Sequence, residues 1–198
     1  MRVTVGNLKG GVAKSTTSVY VALVLARGGR VLLADCDGVN RTCLKWSSMA
    51  ADWPASITVV SWPVPDLGRR VKAVAGDYDH IVIDTGPQHT KILGQALTVT
   101  DDLIVPVAPS PSELEQLKDT FDLAADVDAH SPTYAQVMLT KVRRGTRSSV
   151  EARHWLTDHE LPVMTAEIHY YESYPLAYGT VPADLAEYEA VVKELEAA

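Results

Sequence analysis

Short apolar runs alternate with helical segments along the whole chain. Nearly continuous apolar runs of strand length occupy Arg30 to Asp35, His80 to Thr85 and Asp102 to Val107. Between such runs apolar residues recur at helical spacing, as they do from Ser15 to Arg27. Strands without polar alternation are typical of parallel sheets that helices cover on both faces. The pattern therefore predicts an α/β fold, a doubly wound and mostly parallel sheet flanked by helices.

The rest of the chain continues this alternation. Further strands are predicted at Ser56 to Trp62, Tyr134 to Thr140 and Pro162 to Ile168, and helices at Asp66 to Ala75 and Thr90 to Val99. One longer helix carries Leu114, Leu117, Phe121 and Ala124 on a single face. Because no repeat or long polar linker interrupts the pattern, we expect residues 1–198 to form one domain. Ligands of such folds bind beyond the carboxyl ends of the strands.

Composition narrows the class of protein. The chain has 18 Lys and Arg against 25 Asp and Glu, a net charge of −7, which argues against a protein that is basic all round. The longest apolar stretch, Val19 to Ala26, is too short to span a membrane, and the N-terminus lacks the features of a secretory signal. We therefore expect a cytoplasmic protein. Its two cysteines, Cys36 and Cys43, are expected to be reduced.

A phosphate-binding loop follows the first predicted strand. The segment NLKGGVAKST, Asn7 to Thr16, runs directly into a helix. Gly10 and Gly11 allow the backbone N–H groups to turn inward, and the helix N-terminus adds partial positive charge. Lys14 offers its ammonium group to the β- and γ-phosphates and Ser15 its hydroxyl to Mg²⁺. Thr16 comes one residue too late to be that metal ligand.

This loop departs from the usual Walker A pattern, because Leu8 and Ala13 stand at its two glycine positions. KGGVAKST instead resembles the deviant Walker A motif of the ParA/MinD group of P-loop ATPases, in which an early lysine, here Lys9, is the signature. The resemblance implies a P-loop NTPase fold, ATP and Mg²⁺ as cofactors, and a nucleotide-sandwich homodimer in which Lys9 reaches the partner's phosphates. The nucleotide-binding residues it implies are Lys9, Gly10, Gly11, Val12, Ala13, Lys14, Ser15 and Thr16. If residue 13 needs a positive φ, its methyl group weakens binding or slows turnover.

Acidic residues follow the next two strands of the predicted sheet. ADCDGVNRT, Ala34 to Thr42, resembles the second signature of the same family, which implies that Asp37 positions the attacking water and that Asp35 supports the magnesium shell. HIVIDTGP ends in Asp84 and has the Walker B pattern, so Asp84 is expected to hold Mg²⁺ through water. The alternative is that the two earlier acids only cap the next helix. We interpret His89 as a helix-start residue rather than a catalyst.

Resemblance to the ParA branch implies a partition protein without an N-terminal DNA-binding extension. In that branch ATP-bound dimers hold nonspecific DNA, and a partner bound to a centromere-like site stimulates a slow hydrolysis. The protein would segregate or position a plasmid or chromosome and would associate with the nucleoid. Candidate DNA contacts are the bases of one short segment, Lys141, Arg143, Arg144, Arg147 and Arg153. The alternative for this segment is a solvated helix start whose arginines pair with nearby acids.

Other uses of the same nucleotide site stay open. The MinD branch attaches to membranes through a C-terminal amphipathic helix. Here one face of that helix carries Leu185, Tyr188, Val192 and Leu195, and the opposite face carries several glutamates, which anionic lipid would repel. We therefore expect that helix to pack on the domain and expect no membrane partner. A metabolic P-loop enzyme, which would not need Lys9, and a nucleotide-gated binding module with almost no turnover are the remaining alternatives.

Overall fold

A single six-stranded sheet forms the centre of the protein. The structure, a computed structural model, describes residues 1–197. The strands are β1 (Arg2–Val5), β2 (Val31–Cys36), β3 (Ile57–Ser61), β4 (His80–Thr85), β5 (Asp102–Val107) and β6 (Tyr134–Leu139). Their order is β3-β2-β4-β1-β5-β6, and every neighbouring pair is parallel. The predicted doubly wound α/β fold is confirmed.

Helices cover both faces of the sheet. They are α1 (Lys14–Leu25), α2 (Thr42–Met49), α3 (Leu67–Val74), α4 (Thr90–Leu97), α5 (Pro111–Leu114), α6 (Leu117–Asp128), α7 (Arg147–Asp158), α8 (Ser173–Leu176) and α9 (Ala186–Ala197). Apolar residues of α1, α2 and α9 share one hydrophobic core. A second core contains residues of α3 and α4 with residues of β2 and β4. A third contains residues of α4 to α7 with residues of β5 and β6.

The strand register brings the acidic residues together. All six residues of β2 are buried, as the continuous apolar run predicted. In the register of β2 with β4, Asp35 lies beside Asp84, and in that of β1 with β4 Asp84 lies beside Val5. Because Val5 ends β1 and the phosphate loop follows it, the loop and both carboxylates meet at the carboxyl edge of the sheet.

Two predicted elements were wrong in their extent. The single long helix is two helices, α5 and α6, which are separated by Glu115 and Gln116, although the backbone of both residues stays in the right-handed helical region. The segment Pro162 to Ile168 is not a strand, and it meets β6 only at its two ends, at the isolated bridge Val137 to Val163 and where Ile168 N donates to the Leu139 carbonyl at 2.9 Å. Its backbone leaves the sheet because the N–H groups of Thr165 and Ala166 donate to the Glu194 carboxylate, at 2.7 and 2.8 Å.

Helix α9 packs on the domain, as predicted. Tyr188, Val191, Val192 and Leu195 are buried in the core that α1 also joins. Its glutamates are engaged by the protein itself, Glu194 by the backbone of the preceding segment and Glu189 by Arg27. None of the helices within residues 1–197 is long and apolar enough to cross a membrane.

Candidate functional site

The phosphate loop contains two residues in the left-handed backbone conformation. Gly11 has φ +77° and Ala13 has φ +70°. A side chain at Gly11 would meet no atom within 4 Å, so glycine is favoured there by the positive φ of the backbone and not by a lack of space. For an L-residue with a Cβ atom, this conformation costs about 1–2 kcal/mol. The alanine that the sequence marks as unusual therefore stands at a strained position.

The loop continues into the first turn of α1. The Ala13 carbonyl accepts a hydrogen bond from Thr17 N at 2.9 Å, which starts the helix at Lys14. Lys14 is buried and its Nζ donates to the Lys9 carbonyl at 2.6 Å. Burial lowers the pKa of this ammonium group, and the nearby Asp84 and Asp37 partly oppose the shift. The Lys14 charge is thus held between the loop and the two carboxylates.

Asp84 is the most deeply placed carboxylate of the site. Its Oδ2 accepts hydrogen bonds from Ser15 Oγ at 2.7 Å and from Cys43 Sγ at 3.4 Å, and its Oδ1 accepts one from Ser18 Oγ at 2.9 Å. Complete burial raises the pKa of Asp84 to about 7, and the charge of Asp35 adds to the rise, while the hydroxyl donors oppose it. All three donors are neutral, so a cation at this carboxylate would relieve the cost of its burial.

The residues around Asp84 fit a magnesium ion. Ser15 and Asp84 present hard oxygen ligands, and Mg²⁺ takes one or two protein ligands and completes its shell with water and phosphate oxygens. Within residues 1–197 no cluster of three or more His, Cys, Asp or Glu side chains forms a metal cage of protein ligands alone. The donor set therefore suits an ion that arrives with a nucleotide.

Asp35 and Asp37 differ in their access to solvent and ligand. Asp35 is fully buried, and it accepts hydrogen bonds from the backbone N–H groups of Asp37 and Leu44 at 3.1 and 3.0 Å. Burial raises its pKa. Asp37 lines the central cavity and accepts bonds from Val39 N and Asn40 N, both at 3.0 Å, and from Asn40 Nδ2 at 2.8 Å.

The ionised form of Asp37 is favoured by its surroundings. Partial burial acts to raise the pKa of Asp37, but the Asn40 and Val39 hydrogen bonds and the neighbouring His89 outweigh it, and the pKa lies below its usual value. His89 precedes α4 as its N-cap residue, as predicted, and its ring also lies against the backbone of Gly86. Asp35 bonds Leu44 N in the first turn of α2, so it also caps that helix, whereas the N–H groups that bond Asp37 belong to the turn before the helix.

A cavity of about 520 Å³ opens above these residues, within the range of about 300–1,000 Å³ typical of small-molecule sites. Its lining includes the phosphate-loop residues Gly10, Gly11, Ala13, Lys14, Ser15 and Thr16. It also includes the aromatic residues His169, Tyr170, Tyr171, Tyr174 and Tyr188. Val12 is fully buried and contributes its backbone to the loop. A lining with both a phosphate loop and aromatic rings suits a ligand with phosphates and a planar base.

Several residues in and next to the cavity were missed by sequence reasoning. The buried Ser18 bonds Asp84, and its spacing of three residues from Ser15 on one helix face was a signal that could have found it. Tyr170, Tyr171 and Tyr174 come from a segment without regular spacing, and Tyr188 comes from α9. Lys141, predicted as a DNA contact, instead lies at the phosphate loop, where its Nζ donates to the Gly11 carbonyl at 2.6 Å. Thr140, before it, donates to the Val12 carbonyl at 3.3 Å.

The other four candidate DNA contacts divide into two groups. Arg143, Arg144 and Arg153 border one surface recess of about 590 Å³. The Arg143 guanidinium carbon lies 5.1 Å from the centroid of the Tyr170 ring, and Arg153 pairs with Glu167 at 3.0 Å. Arg147 lies outside that recess and pairs with Glu151 at 2.6 Å. The pairing with acids that the sequence left as an alternative is thus present at two of the arginines.

Lys9 lies near the start of the phosphate loop. Its backbone N–H donates to Asn7 Oδ1 at 2.8 Å, which anchors the loop. The side chain is half-buried, and among the described residues it is not part of the cavity lining, whereas Gly10 and Lys14 are.

The whole arrangement has known counterparts. The sequence matches the CobQ/CobB/MinD/ParA nucleotide binding domain over residues 3–180. The chain belongs to this family. Over 177 residues it is 32% identical to "Maintenance of carboxysome distribution protein A" of Gloeobacter kilaueensis, a match that covers 88% of this chain and 79% of that relative. The ParA/MinD resemblance of the phosphate loop is confirmed.

Solved structures of other proteins share the fold. Apo McdA of Cyanothece superposes with a TM-score of 0.81 at 16% identity, covering 98% of both chains. Cobyrinic acid a,c-diamide synthase of Mycobacterium smegmatis, with a bound ATP analogue and magnesium, superposes with a TM-score of 0.73 at 21% identity, covering 98% of this chain and 95% of that one. Proteins with this fold thus include one that binds an ATP analogue together with magnesium.

Proposed function

We propose that this protein is a Mg²⁺-dependent ATPase of the ParA type that works as an ATP-bound homodimer, binds DNA nonspecifically in that state and positions a cargo. The observation that carries the proposal is that Lys14, Ser15 and Asp37 line one cavity, while the buried Asp84 accepts a hydrogen bond from Ser15 directly behind that lining. A phosphate-binding loop, a metal-binding acid and an ionised carboxylate are the parts that ATP hydrolysis by water requires.

Each of these groups has a distinct part in the reaction. The loop N–H groups and Lys14 bind the β- and γ-phosphates, while Ser15 and Asp84 hold Mg²⁺. Magnesium, when bound, neutralises charge on the phosphate oxygens. Asp37, ionised and facing the cavity, accepts a hydrogen bond from water and aims its oxygen at the γ-phosphorus. The water oxygen bonds to the γ-phosphorus as the bond from the γ-phosphorus to the bridging oxygen breaks, one proton of the water stays on the phosphate formed and the other is released to the phosphate oxygens or to solvent, and the products are ADP and phosphate.

Lys9 is proposed to act across the dimer. Its ammonium group makes no hydrogen bond within the described part of the chain, and its side chain does not line the cavity of its own protomer. A cation that belongs to one phosphate loop, yet is not part of the described lining of that cavity, supports a role at the partner's phosphates. A metabolic P-loop enzyme, the second candidate, is favoured by the likeness to the diamide synthase but would not need this lysine.

The surface recess bordered by Arg143, Arg144 and Arg153 is the proposed DNA-binding surface. Each arginine placed near a phosphate releases a counterion, so binding is expected to weaken with salt. A single acidic protomer of net charge −7 holds few such contacts, and dimerisation doubles them. The protein would then associate with the nucleoid in the cytoplasm.

The cargo is proposed in broad terms. The relative with 32% identity is named for carboxysome distribution, which supports cargo positioning in general and not plasmid or chromosome partition alone. A partner protein on the cargo, centromere-binding where the cargo is DNA, would stimulate hydrolysis. A MinD-like membrane use is disfavoured because the apolar residues Tyr188, Val192 and Leu195 of α9 are buried.

The deciding experiment is ATP-dependent dimerisation, measured by light scattering with and without random-sequence duplex DNA. We expect Mg-ATP to produce a dimer that DNA retains at low salt. Lys14→Ala should abolish ATP binding, Lys9→Ala should bind ATP without dimerising, and Asp37→Ala should dimerise without turnover. Lys72→Ala, at an exposed position of α3, is the control. Normal dimerisation and hydrolysis by Lys9→Ala would contradict a role of Lys9 across the dimer and would favour the metabolic enzyme instead.

A further inference from the structure

Three side chains hold the carbonyl groups of the phosphate loop. Lys14 Nζ donates to the carbonyl of Lys9, Thr140 Oγ1 to that of Val12, and Lys141 Nζ to that of Gly11. The first comes from the loop's own helix. The other two come from the end of β6, which reaches the loop from a distant part of the sequence.

These two residues are themselves firmly placed. Thr140 is fully buried, and its backbone N–H donates to the Val107 carbonyl at 2.8 Å, which extends the pairing of β6 with β5. Lys141 follows directly, with φ +54°, a conformation that turns the chain out of the strand at this point. The side chain of Lys141 is exposed except for its contact with the loop.

The part of the loop that they hold is the strained part. Gly11 and Ala13 both have positive φ, and Val12 lies between them. Ala13 resists this conformation, since its Cβ crowds the following carbonyl. Strained residues persist where surrounding contacts over-determine them, and such positions cluster at binding sites.

We propose that Thr140 and Lys141 form a clamp that holds the Gly11–Ala13 turn in its left-handed conformation and so presets the loop N–H groups for phosphate. Lys141 is then a positioning residue, acting on the nucleotide through the backbone of the loop. This inference rests on the proposed nucleotide-binding function for its consequence, although the clamp itself exists in the protein without nucleotide. Preorganisation of this kind raises affinity by removing the ordering cost from the binding step.

The first test needs no nucleotide. Amide hydrogen exchange of residues 8–16 is measured in the free protein for the wild type, Lys141→Met, Lys141→Arg and the control Lys72→Met. Lys141→Met should accelerate exchange in this segment by about threefold or more, since the loop opens more often without its clamp. Lys141→Arg, which keeps a donor, should restore most of the protection, and Lys72→Met should match the wild type. Equal exchange in Lys141→Met and wild type overturns the clamp.

The second test separates a clamp from a direct contact with phosphate. Affinity for a non-hydrolysable ATP analogue with Mg²⁺ is measured by calorimetry in a double-mutant cycle of Lys141→Met and Ala13→Gly. In the wild-type background we expect Lys141→Met to weaken binding about tenfold, or about 1.4 kcal/mol. In the Ala13→Gly background the loss should fall below about twofold, because glycine adopts the positive φ without help.

The outcomes distinguish this inference from the proposed function. Equal losses in both backgrounds overturn the clamp and assign Lys141 a direct contact with the nucleotide. If the wild type does not bind the analogue, the ATPase proposal is overturned. The hydrogen-exchange measurement then still shows whether Lys141 restrains the loop in the free protein. Thr140→Val, which removes one hydroxyl and keeps the shape of the side chain, should weaken binding in the same direction as Lys141→Met.

Discussion

The hydroxyl of Ser15 donates a 2.7 Å hydrogen bond to Oδ2 of Asp84, which joins the first turn of α1 to the carboxyl end of β4. Both residues were expected at the magnesium ion from their motifs alone. The two side chains that are expected at the ion thus lie within hydrogen-bond distance of each other, which places them on the same side of the phosphate loop.

Asp84→Asn is expected to change stability and activity in opposite directions. In the protein without nucleotide, a neutral amide removes the cost of a buried charge, so the free energy of unfolding at pH 8 should rise by about 1–3 kcal/mol. Turnover of Mg-ATP should fall by about 10²-fold or more, since the metal ligand is lost. Urea unfolding and phosphate release measure the two effects. A loss of stability together with unchanged turnover would contradict the role given to Asp84.

Ala13→Gly is expected to stabilise the protein although it removes a methyl group. The φ of +70° is strained for alanine and free for glycine, so we expect a gain of about 0.5–1 kcal/mol in the free energy of unfolding. The control Ala125→Gly lies inside α6 and should lose about 1 kcal/mol. Urea denaturation of both variants tests the pair. Destabilisation by both would show that residue 13 is not strained in solution.

The arginines of the 143–153 segment should differ in their effect on DNA binding. Arg143→Ala together with Arg144→Ala should reduce the slope of log affinity against log salt by about 2 for random duplex, since two phosphate contacts are lost. Arg147→Ala should have a smaller effect, because that guanidinium pairs with Glu151 outside the recess. Fluorescence anisotropy at several salt concentrations provides the slopes. An unchanged slope in the double variant would exclude this surface.

Asp102, at the start of β5, should make stability depend on pH. Burial and the neighbouring Asp101 raise its pKa to about 6, whereas the N-terminal amino group opposes the rise. The folded protein thus holds this proton more tightly than the unfolded chain, so its contribution is complete below about pH 4 and is lost as pH rises through about 6. With allowance for solvent screening, Asp102→Asn should be more stable than wild type by about 1 kcal/mol at pH 7.

Thermal unfolding between pH 4 and 8 checks this prediction. The difference between Asp102→Asn and wild type should vanish near about pH 4, where both side chains are neutral in the folded protein. Asp126→Asn, on the exposed face of α6, is the control and should follow the wild-type profile. A difference that stays constant with pH would mean that Asp102 does not titrate in this range.

The local pattern of apolar and polar residues was sufficient to predict the architecture of the sheet and the phosphate-binding loop. Continuous apolar runs such as His80 to Thr85 are buried on both faces, which only a covered parallel sheet provides, and β4 has the predicted bounds. Lys14, Ser15, Asp37 and Asp84 could be found because their chemistry depends on short spacings next to strand ends. The conformation of Pro162 to Ile168 could not be predicted in this way. The carboxylate of Glu194, almost thirty residues later in the chain, accepts hydrogen bonds from the N–H groups of Thr165 and Ala166 within this segment.

The sequence by itself determined that a parallel α/β sheet places a phosphate loop and two acidic strand ends at one edge, and it marked Ala13 as a departure. Only the tertiary structure decided that Ala13 has φ +70°, that Lys141 contacts the phosphate loop and that tyrosines line the same cavity as that loop. The physical reason is distance along the chain. Spacing predicts contacts within one element or its cap, whereas Lys141 meets Gly11 through the packing of β6 beside β5.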